Sequence, residues 1–421
     1  MNVAEKKTTD SKQTEEYVGV AVPLDKRTGW TKPALVWLGF SISFANLVIG
    51  GQIEKMVGMP NAVWAILLGN LGLVIYAGLL AVISGKTGFS FPMVAKATFG
   101  EKGAIVPALL MAVLGNFWFA YNSWMLTDVC YSVLGGNPTV WCIVLVNICW
   151  LGTLAYKYMV ALGKAVVPVV VFLACYFVIR LILPAGGAAF HSAPTAAAPF
   201  ITAFGTAFGT FVVSGTMTGD IVRYCKGTKD SIIVTIFAFF VGNSGSLILG
   251  ALASAAVPGI DQYFGMTAFL GGIPLIICAG ISQWSTASSC LYNAVSGYTN
   301  IFRKLGWTKA VIIGGVGGSL VAVSGFISDL AAYMSFLGIL VPPVGGVIIA
   351  DYYLVRKGLK YGDKNLSGVN WWAIASLVTA VVLSYISSKV FPAVPHQAVG
   401  IIVSAVMYAI VGRQVSYDKV S

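Results

Sequence analysis

The chain of 421 residues is 57% hydrophobic and only 10% charged, whereas a soluble globular domain carries about 25% charged residues. Its net charge of +11 comes from Lys and Arg in short segments between long uncharged runs, without a continuous basic stripe. These features exclude an ordinary soluble domain and a nucleic-acid partner, and they predict an all-α integral membrane protein in a lipid bilayer.

The first 29 residues are polar and lack the apolar core of a signal peptide, so we expect residues 1–29 to form a cytoplasmic tail. A second tail is predicted at residues 413–421. The hydrophobic runs between the tails reach the roughly 20 residues that a membrane-crossing helix needs. They predict twelve transmembrane helices, numbered 1 to 12, over residues 30–57, 61–84, 103–134, 138–156, 163–183, 198–223, 230–257, 266–301, 308–326, 329–354, 369–388 and 394–412.

The positions of the basic residues test this count, because cytoplasmic loops carry an excess of Lys and Arg. With both termini cytoplasmic, every one of the 26 Lys and Arg residues falls in a cytoplasmic segment except Lys55, Arg180 and Lys389. One helix more or fewer would remove this asymmetry. We therefore expect a multi-pass protein of the inner (cytoplasmic) membrane with both termini in the cytoplasm.

Helices 1 and 6 have unusual sequences for membrane spans. Residues 39–46 read GFSISFAN, and residues 203–220 contain glycine and threonine at four positions each. Glycine weakens a helix, and Ser or Thr can pair with freed carbonyls. Interrupted spans at matching positions predict a leucine-transporter-like fold of two five-helix inverted repeats, 30–183 and 198–354, with helices 11 and 12 (369–412) added. Alternatively, the small residues only permit close helix packing.

Helix 3 carries the sequence NFWFAYNSW near its middle. Trp118 and Asn122 lie about one turn apart, and Gly115 precedes them. Aromatic faces and amide groups together hold a planar heterocycle well, so we expect such a small-molecule substrate to bind here. Phe211 on helix 6 is a natural opposing face.

Helix 8 contains the polar run SQWSTASS. Ser282, Ser285, Thr286 and Ser289 recur at three- and four-residue spacing, so one helical face carries all four hydroxyl groups. A coupling Na⁺ is held by uncharged oxygens, including carbonyls that an unwound helix releases. Helix 1 offers such carbonyls near Gly39 and Ile42, which predicts a sodium site between the two helices. Ordinary Ser/Thr hydrogen bonding between helices is the alternative.

Asp128 lies within helix 3, and acidic residues inside a span are functional candidates. It provides the alternative that protons, rather than sodium, drive transport. The segment SGKT is not a phosphate-binding loop, because Leu80 stands where that motif needs Gly. The sequence contains no HExxH or GxSxG motif, and its seven cysteines form no CxxC pair. We expect neither an enzyme nor a cofactor other than the coupling ion.

Three segments resemble the purine/cytosine permease group of the nucleobase–cation symporter family: GTMTGDIVRY at 215–224, FFVGNS at 239–244 and PPVGGVIIADYYL at 342–354. The resemblance covers nearly the whole chain. It implies a leucine-transporter-like fold and sodium-coupled uptake of a nucleobase-like heterocycle, stacked between Trp118 and Phe211. The implied sodium ligands are the carbonyls of Gly39 and Ile42 and the side chains of Ser282, Ser285 and Thr286.

The chain departs from cytosine-transporting members of that family. They have Gln at the position of Gly115, TTNDN where this chain reads STASS, and Ser near Val213. Unpaired polar groups cost about 1–3 kcal/mol each, so these changes favour a larger or less polar ring over cytosine: a purine, a hydroxymethylpyrimidine or a hydantoin. The substitute hydrogen-bonding groups are Asn116, Asn122, Thr210, Gln283 and, on helix 1, Ser41.

The leading hypothesis is alternating access by a monomer, in which helices 1, 2, 6 and 7 move against helices 3, 4, 8 and 9 around a central site. Two alternatives stay open. One is proton-coupled symport of a related ring, and the other is a passive facilitator that does not accumulate its substrate.

Overall fold

A computed structural model describes residues 17–257, 272–324, 330–358 and 366–415. Within these ranges every regular element is a helix, and the only β-structure is two isolated bridges, Thr28 with Cys225 and Met59 with Ser192. The all-α prediction is therefore confirmed for the described part of the chain. The predicted tails lie partly outside it, as do the start of predicted helices 8 and 10 and the end of predicted helix 9.

A helix occupies each predicted segment, and the predicted numbers are kept. Helix 1 consists of helix 1a, Thr31–Ser41, and helix 1b, Phe44–Val57. Helix 6 consists of three short pieces, and helix 7 contains a π-helical segment, Ile236–Asn243. The other bounds are Asn61–Thr87 (helix 2), Phe91–Phe99 (a short extra helix), Ile105–Leu134 (3), Pro138–Cys149 (4), Tyr156–Phe177 (5), Phe200–Gly209, Val212–Thr216 and Gly219–Val222 (6), Thr228–Thr235 and Ser244–Ala256 (7), Ile273–Ile301 (8), Trp307–Val323 (9), Leu330–Leu340 and Pro342–Ala350 (10), Trp371–Val390 (11) and His396–Val411 (12).

Seven helices of the described ranges are long and apolar enough to cross a membrane, or eight if the two parts of helix 1 form one bent span. Helices 4 and 9 and the first part of helix 6 are apolar but shorter. Helix 8 is continuous over 29 residues, but its polar run interrupts the apolar sequence. The chain is thus a multi-pass membrane protein, and the count of twelve spans stays a prediction.

Helix 1 bends by 57° between its two parts. Helix 1a ends at Ser41, and Ile42 leaves the helical conformation with φ −95° and ψ 85°. Ser43 then caps helix 1b, because its hydroxyl accepts a hydrogen bond from the amide of Ala45 at 3.0 Å. The irregular sequence of this span therefore corresponds to a break, which leaves carbonyl groups of helix 1a without their helical partners.

Helix 6 is interrupted after Gly209 and again after Thr216. Phe211 stands at the first interruption with φ −125° and ψ 15°. This interruption lies beside the break of helix 1, since the ring centroids of Phe40 and Phe211 are 5.2 Å apart. The two irregular spans thus bring their non-helical backbone to the same place.

Helices 1b and 7 pack with their backbones in direct contact. A Cβ added to Gly50 would collide with the carbonyl oxygen of Leu247, and one added to Gly250 would collide with that of Leu47. Small residues allow such close association in a membrane, where burial of apolar surface gives no driving force between helices. The two helices therefore form one packed unit.

We expect Gly250→Ala to lower the free energy of unfolding by about 1–3 kcal/mol, because the added methyl group forces the backbones apart. The matched control is Gly245→Ala on the same helix, where an added Cβ meets no atom within 4 Å. The control should be neutral or stabilising, since Ala favours a helix over Gly. The apparent melting temperature of the purified protein measures both effects, and equal values for the two variants would contradict the close contact.

Candidate functional site

A small cavity lies where the break of helix 1 meets the first interruption of helix 6. Its volume is about 20 Å³, room for about one water molecule. Helices 3 and 8 form its other walls. The lining residues are Phe40, Ser43, Ala45, Asn46, Trp118, Asn122, Thr210, Phe211, Ser214, Thr286 and Cys290.

The two predicted stacking faces, Trp118 and Phe211, both line this cavity and both are buried. The ring of Phe211 meets that of Phe40 nearly edge-on, with an interplanar angle of 73°. Trp118 is held in the same way by Tyr121 and by Tyr333, with centroids 5.7 and 5.8 Å away. Edge-to-face pairs favour a defined ring orientation, so both faces are oriented before any ligand enters.

Asn122 gives the cavity an uncommitted hydrogen-bond acceptor. Its amide nitrogen donates to the carbonyl of Trp118 at 2.8 Å, whereas its buried Oδ1 makes no hydrogen bond to any described residue. An unpaired buried acceptor costs about 1–3 kcal/mol, and a ligand N–H would remove that cost. Thr210, also predicted, lines the cavity and donates its hydroxyl hydrogen to the carbonyl of Ala207 at 2.7 Å.

Three residues predicted to contact the substrate lie behind the cavity wall. Gly115 packs against the backbone of helix 8. Gln283 joins helix 3 to helix 1b, because it donates to the carbonyl of Asn122 (3.3 Å) and accepts from the amide of Phe44 (3.2 Å). Ser41 lies against helix 7. In this conformation these residues support the cavity wall and do not form part of it.

The residues predicted to hold sodium meet where helix 8 crosses the break of helix 1. Ser282 donates its hydroxyl hydrogen to the carbonyl of Ile42 at 2.8 Å. Thr286 donates to the carbonyl of Phe40 at 3.2 Å. Hydroxyl oxygens and freed carbonyls of this kind are the uncharged ligands that coupling ions use in transporters with broken helices.

The other two predicted ion ligands, Gly39 and Ser285, lie at the same place. We call this place the ion junction, and it comprises residues 39–42 and the hydroxyls of helix 8 that face them. A Cβ added to Gly39 would lie 2.7 Å from the hydroxyl of Ser285 and 2.8 Å from the Cα of Gly163. Glycine at position 39 therefore lets helices 8 and 5 approach the carbonyls of helix 1a.

Asp128, the predicted proton-coupling residue, is not part of the cavity lining. It stands on helix 3 six residues beyond Asn122, about 9 Å along the helix axis at 1.5 Å per residue. Its side chain is half-buried.

The sequence does not predict a buried amide network that lies beside the cavity. Asn46 of helix 1b donates to Asn243 of helix 7 at 2.9 Å. Asn243 in turn donates to Thr210 of helix 6 at 2.9 Å and to Asn70 of helix 2 at 2.6 Å. The available signal was the single asparagines inside otherwise apolar runs, because a polar side chain in hydrocarbon needs a partner.

On one face of the bundle, hydrogen bonds join the end of helix 6 to its neighbours. We call it the N-terminal face, because residues 17–28 pack there against helices 2 and 6. Asp220 accepts hydrogen bonds from the amide of Phe91 and the hydroxyl of Ser296, both at 3.0 Å. The last turn of helix 6 is thereby joined to helix 8 and to the short extra helix.

Comparison with known sequences identifies relatives over most of the chain. The family described as permease for cytosine/purines, uracil, thiamine, allantoin matches residues 21–410. Cytosine permease of Escherichia coli (strain K12) is 30% identical over 365 residues, which cover 86% of each chain. Hydantoin permease of Microbacterium maritypicum is 24% identical over 396 residues, which cover 84% of this chain and 80% of that permease.

Comparison with solved structures gives the same fold. A nucleobase-cation-symport-1 family transporter, in a closed conformation with bromovinylhydantoin bound, matches with a TM-score of 0.83 and 21% identity. The match covers 94% of this chain and 95% of that chain. A sodium-coupled sialic acid symporter in a substrate-bound outward-open state matches with a TM-score of 0.70 and 12% identity.

The all-helical fold, the broken spans around a central cavity and these relatives define the class of the protein, which is a membrane permease and not an enzyme. The chain belongs to the family of permeases for cytosine/purines, uracil, thiamine and allantoin.

Cys290 lines the cavity and is buried, so its reactivity reports access to the cavity. In a variant that keeps Cys290 as its only cysteine, we expect Asp220→Ala to speed labelling by a water-soluble maleimide about tenfold. The reason is that Phe91 and Ser296 lose their shared acceptor, and about 1.4 kcal/mol of closing free energy shifts an equilibrium tenfold. Asp230→Ala, which removes a carboxylate from helix 7, is the control and should leave the rate unchanged. Wild-type labelling in both variants would show that Asp220 does not hold the cavity closed.

Proposed function

We propose that this permease takes up a planar, nucleobase-like heterocycle by sodium-coupled symport with alternating access. The proposal rests on residues that the cavity and the ion junction share. Thr286 lines the cavity, and its hydroxyl also donates a hydrogen bond to the carbonyl of Phe40. An ion at the junction would fix that hydroxyl and the backbone of Phe40, whose ring packs against Phe211. Ion and substrate would then stabilise each other's binding, a linkage that is equal in both directions.

The proposed substrate lies between Trp118 and Phe211, with a ring N–H donated to Oδ1 of Asn122. The family description names cytosine/purines, uracil, thiamine and allantoin, and two relatives are named for cytosine and for hydantoin. These compounds are heterocycles, and a flat ring with polar edges suits an apolar cleft that contains a few placed polar groups. At about 20 Å³ the closed cavity is too small for a ring, so helices must separate to admit one.

Among ring classes, we propose a purine, a hydroxymethylpyrimidine or a hydantoin ahead of cytosine. Gly115 packs on helix 8 and Val213 does not line the cavity, so neither residue enlarges the closed cavity. The preference therefore rests on the hydrogen-bonding groups: Asn122 supplies an acceptor, and the hydroxyls of Thr210 and Ser214 replace the family's more polar contacts.

For the ion, we propose that sodium binds at the ion junction through the carbonyls of Gly39 and Ile42 and the hydroxyls of Ser282, Ser285 and Thr286. Two of these hydroxyls already lie about 3 Å from backbone carbonyls. Rotation of each hydroxyl hydrogen would turn an oxygen lone pair toward an ion between them, with little movement of heavy atoms. Because these hydroxyl oxygens could change from hydrogen bonding to ion binding so readily, we favour sodium over a proton carried by Asp128 as the coupling ion.

We propose that the transporter is a monomer of the inner membrane with both termini cytoplasmic. In it, two five-helix inverted repeats, residues 30–183 and 198–354, would precede helices 11 and 12. The N-terminal face would then be the cytoplasmic face, in agreement with the basic residues there. Helices 1, 2, 6 and 7, joined by the buried amide network, would move as one body during alternating access.

We expect a ring of the correct class to raise the apparent melting temperature of the purified protein, and to do so more strongly with sodium than with potassium. A ligand that binds only the folded state adds about 2.7 kcal/mol at 100 times its dissociation constant. The panel comprises cytosine, adenine, hydroxymethylpyrimidine and hydantoin at constant ionic strength. A shift in melting temperature that is equal in sodium and in potassium, together with uptake that a protonophore abolishes, would support proton coupling instead. The absence of any shift would contradict the substrate class.

We expect Ser282→Ala and Ser285→Ala each to raise the sodium concentration for half-maximal uptake about tenfold. Each removes one ion ligand, and a difference of about 1.4 kcal/mol changes affinity tenfold. Ser288→Ala, which removes a buried hydroxyl of the same helix that donates to the carbonyl of Cys149 at 2.8 Å, is the matched control and should keep the wild-type sodium dependence. Uptake in proteoliposomes over a range of sodium concentrations measures all three, and an equal sodium response throughout would exclude the ion junction as the sodium site.

A further inference from the structure

Asn243 of helix 7 has a fully buried side chain that is bonded to helices 1b, 2 and 6. Helices 1, 2, 6 and 7 form the body that is proposed to move during alternating access. Asn243 ends the π-helical segment Ile236–Asn243 of helix 7 and is 0% exposed. A π-helical segment inside an α-helix changes which side chains face a neighbour, and such segments are frequent at functional sites. Asn243 itself is not among the residues that line the cavity.

The amide of Asn243 uses both of its donor hydrogens and its acceptor. Its nitrogen donates to Oγ1 of Thr210 at 2.9 Å and to Oδ1 of Asn70 at 2.6 Å. Its oxygen accepts from the amide nitrogen of Asn46 at 2.9 Å. One side chain is thus bonded to a residue at the interruption of helix 6, to one just after the break of helix 1, and to helix 2.

Both Thr210 and Asn46 line the cavity. Thr210 is the residue before the stacking ring of Phe211, and Asn46 also donates to the carbonyl of Ser41 at 2.6 Å. Asn243 is thus one of the anchors for each of these polar groups. Without its amide, Asn46 would keep only its bonds to Ser41 and Ser246, and Thr210 only its bond to the carbonyl of Ala207, so each would be held less firmly.

We propose that Asn243 is a positioning residue that sets the ring selectivity of the permease by orienting Thr210 and Asn46 toward the substrate. This proposal rests on the proposed function, since it assumes a heterocycle in the cavity. A site that holds its polar groups in fixed directions discriminates between rings, because a ring with the wrong pattern leaves them unpaired.

The test compares Asn243→Ala with Asn370→Ala. Asn370 is also a buried amide, bonded to the carbonyl of Thr98 and the hydroxyl of Tyr408, both at 2.8 Å, and it does not line the cavity. Uptake and competition with cytosine, adenine, hydroxymethylpyrimidine and hydantoin are measured in proteoliposomes and normalised to folded transporter. Asn243→Ala should raise KM for the preferred ring about tenfold and change the ratios of the competition constants of the rings, with Vmax within about twofold of wild type. Asn370→Ala should change the melting temperature or the amount of folded protein but leave the ratios of the competition constants unchanged.

A double-mutant cycle identifies the route of the effect. If Asn243 acts through Thr210, the double variant Asn243→Ala/Thr210→Val should have a KM close to that of the worse single variant, because the second change removes an interaction that is already lost. Additive effects on KM would overturn positioning through Thr210.

The outcomes separate the two proposals. Wild-type protein that binds none of the four rings would overturn the proposed function and the positioning role together. Wild-type protein that binds a ring while Asn243→Ala keeps the same KM and the same ratios of competition constants would overturn the positioning role alone. A fall in Vmax alone would also overturn it, because that is the result expected of a purely structural residue.

Discussion

Carbonyl and amide groups released where helices 1 and 6 break must be paired inside the protein, because hydrocarbon offers them no partner. Helix 8 meets part of this requirement, since Ser282 and Thr286 donate to carbonyls at the break of helix 1. The amide of Asn46 meets another part by donating to the carbonyl of Ser41. The groups that make the breaks possible are therefore the same groups that surround the cavity and the ion junction.

Such pairing needs helices that approach closely and stay in register. Gly50 and Gly250 bring helices 1b and 7 into backbone contact, and Gly39 lets helix 1a approach the backbone of helix 5 and the hydroxyl of Ser285 on helix 8. A side chain at any of these positions would separate the hydroxyls and amides from the carbonyls they pair with. The many glycines of this chain thus serve the polar site indirectly, through the distances between helices.

The residues that line the cavity are buried in this conformation, and identifiable contacts hold them there. The stacking faces are held by neighbouring rings, and Asp220 joins the end of helix 6 to helix 8. In the proposed mechanism, these contacts would break and re-form while the network around Asn243 persists. The proposed coupling ion and the substrate would then shift the equilibrium between arrangements of a few rigid bodies, without remodelling the site itself.

The sequence by itself determined the membrane class, the two irregular spans and the faces of single helices that carry Trp118, Ser282 and Thr286, because helical periodicity fixes which residues of one helix point the same way. It did not determine which helices are neighbours or how each is rotated. Asn46 and Asn243, 197 residues apart in sequence, meet only because helices 1b and 7 pack through their glycines, and packing against helix 8 keeps Gly115 off the cavity wall. Contacts between distant segments depend on the joint packing of all the helices, and only the tertiary structure decides them.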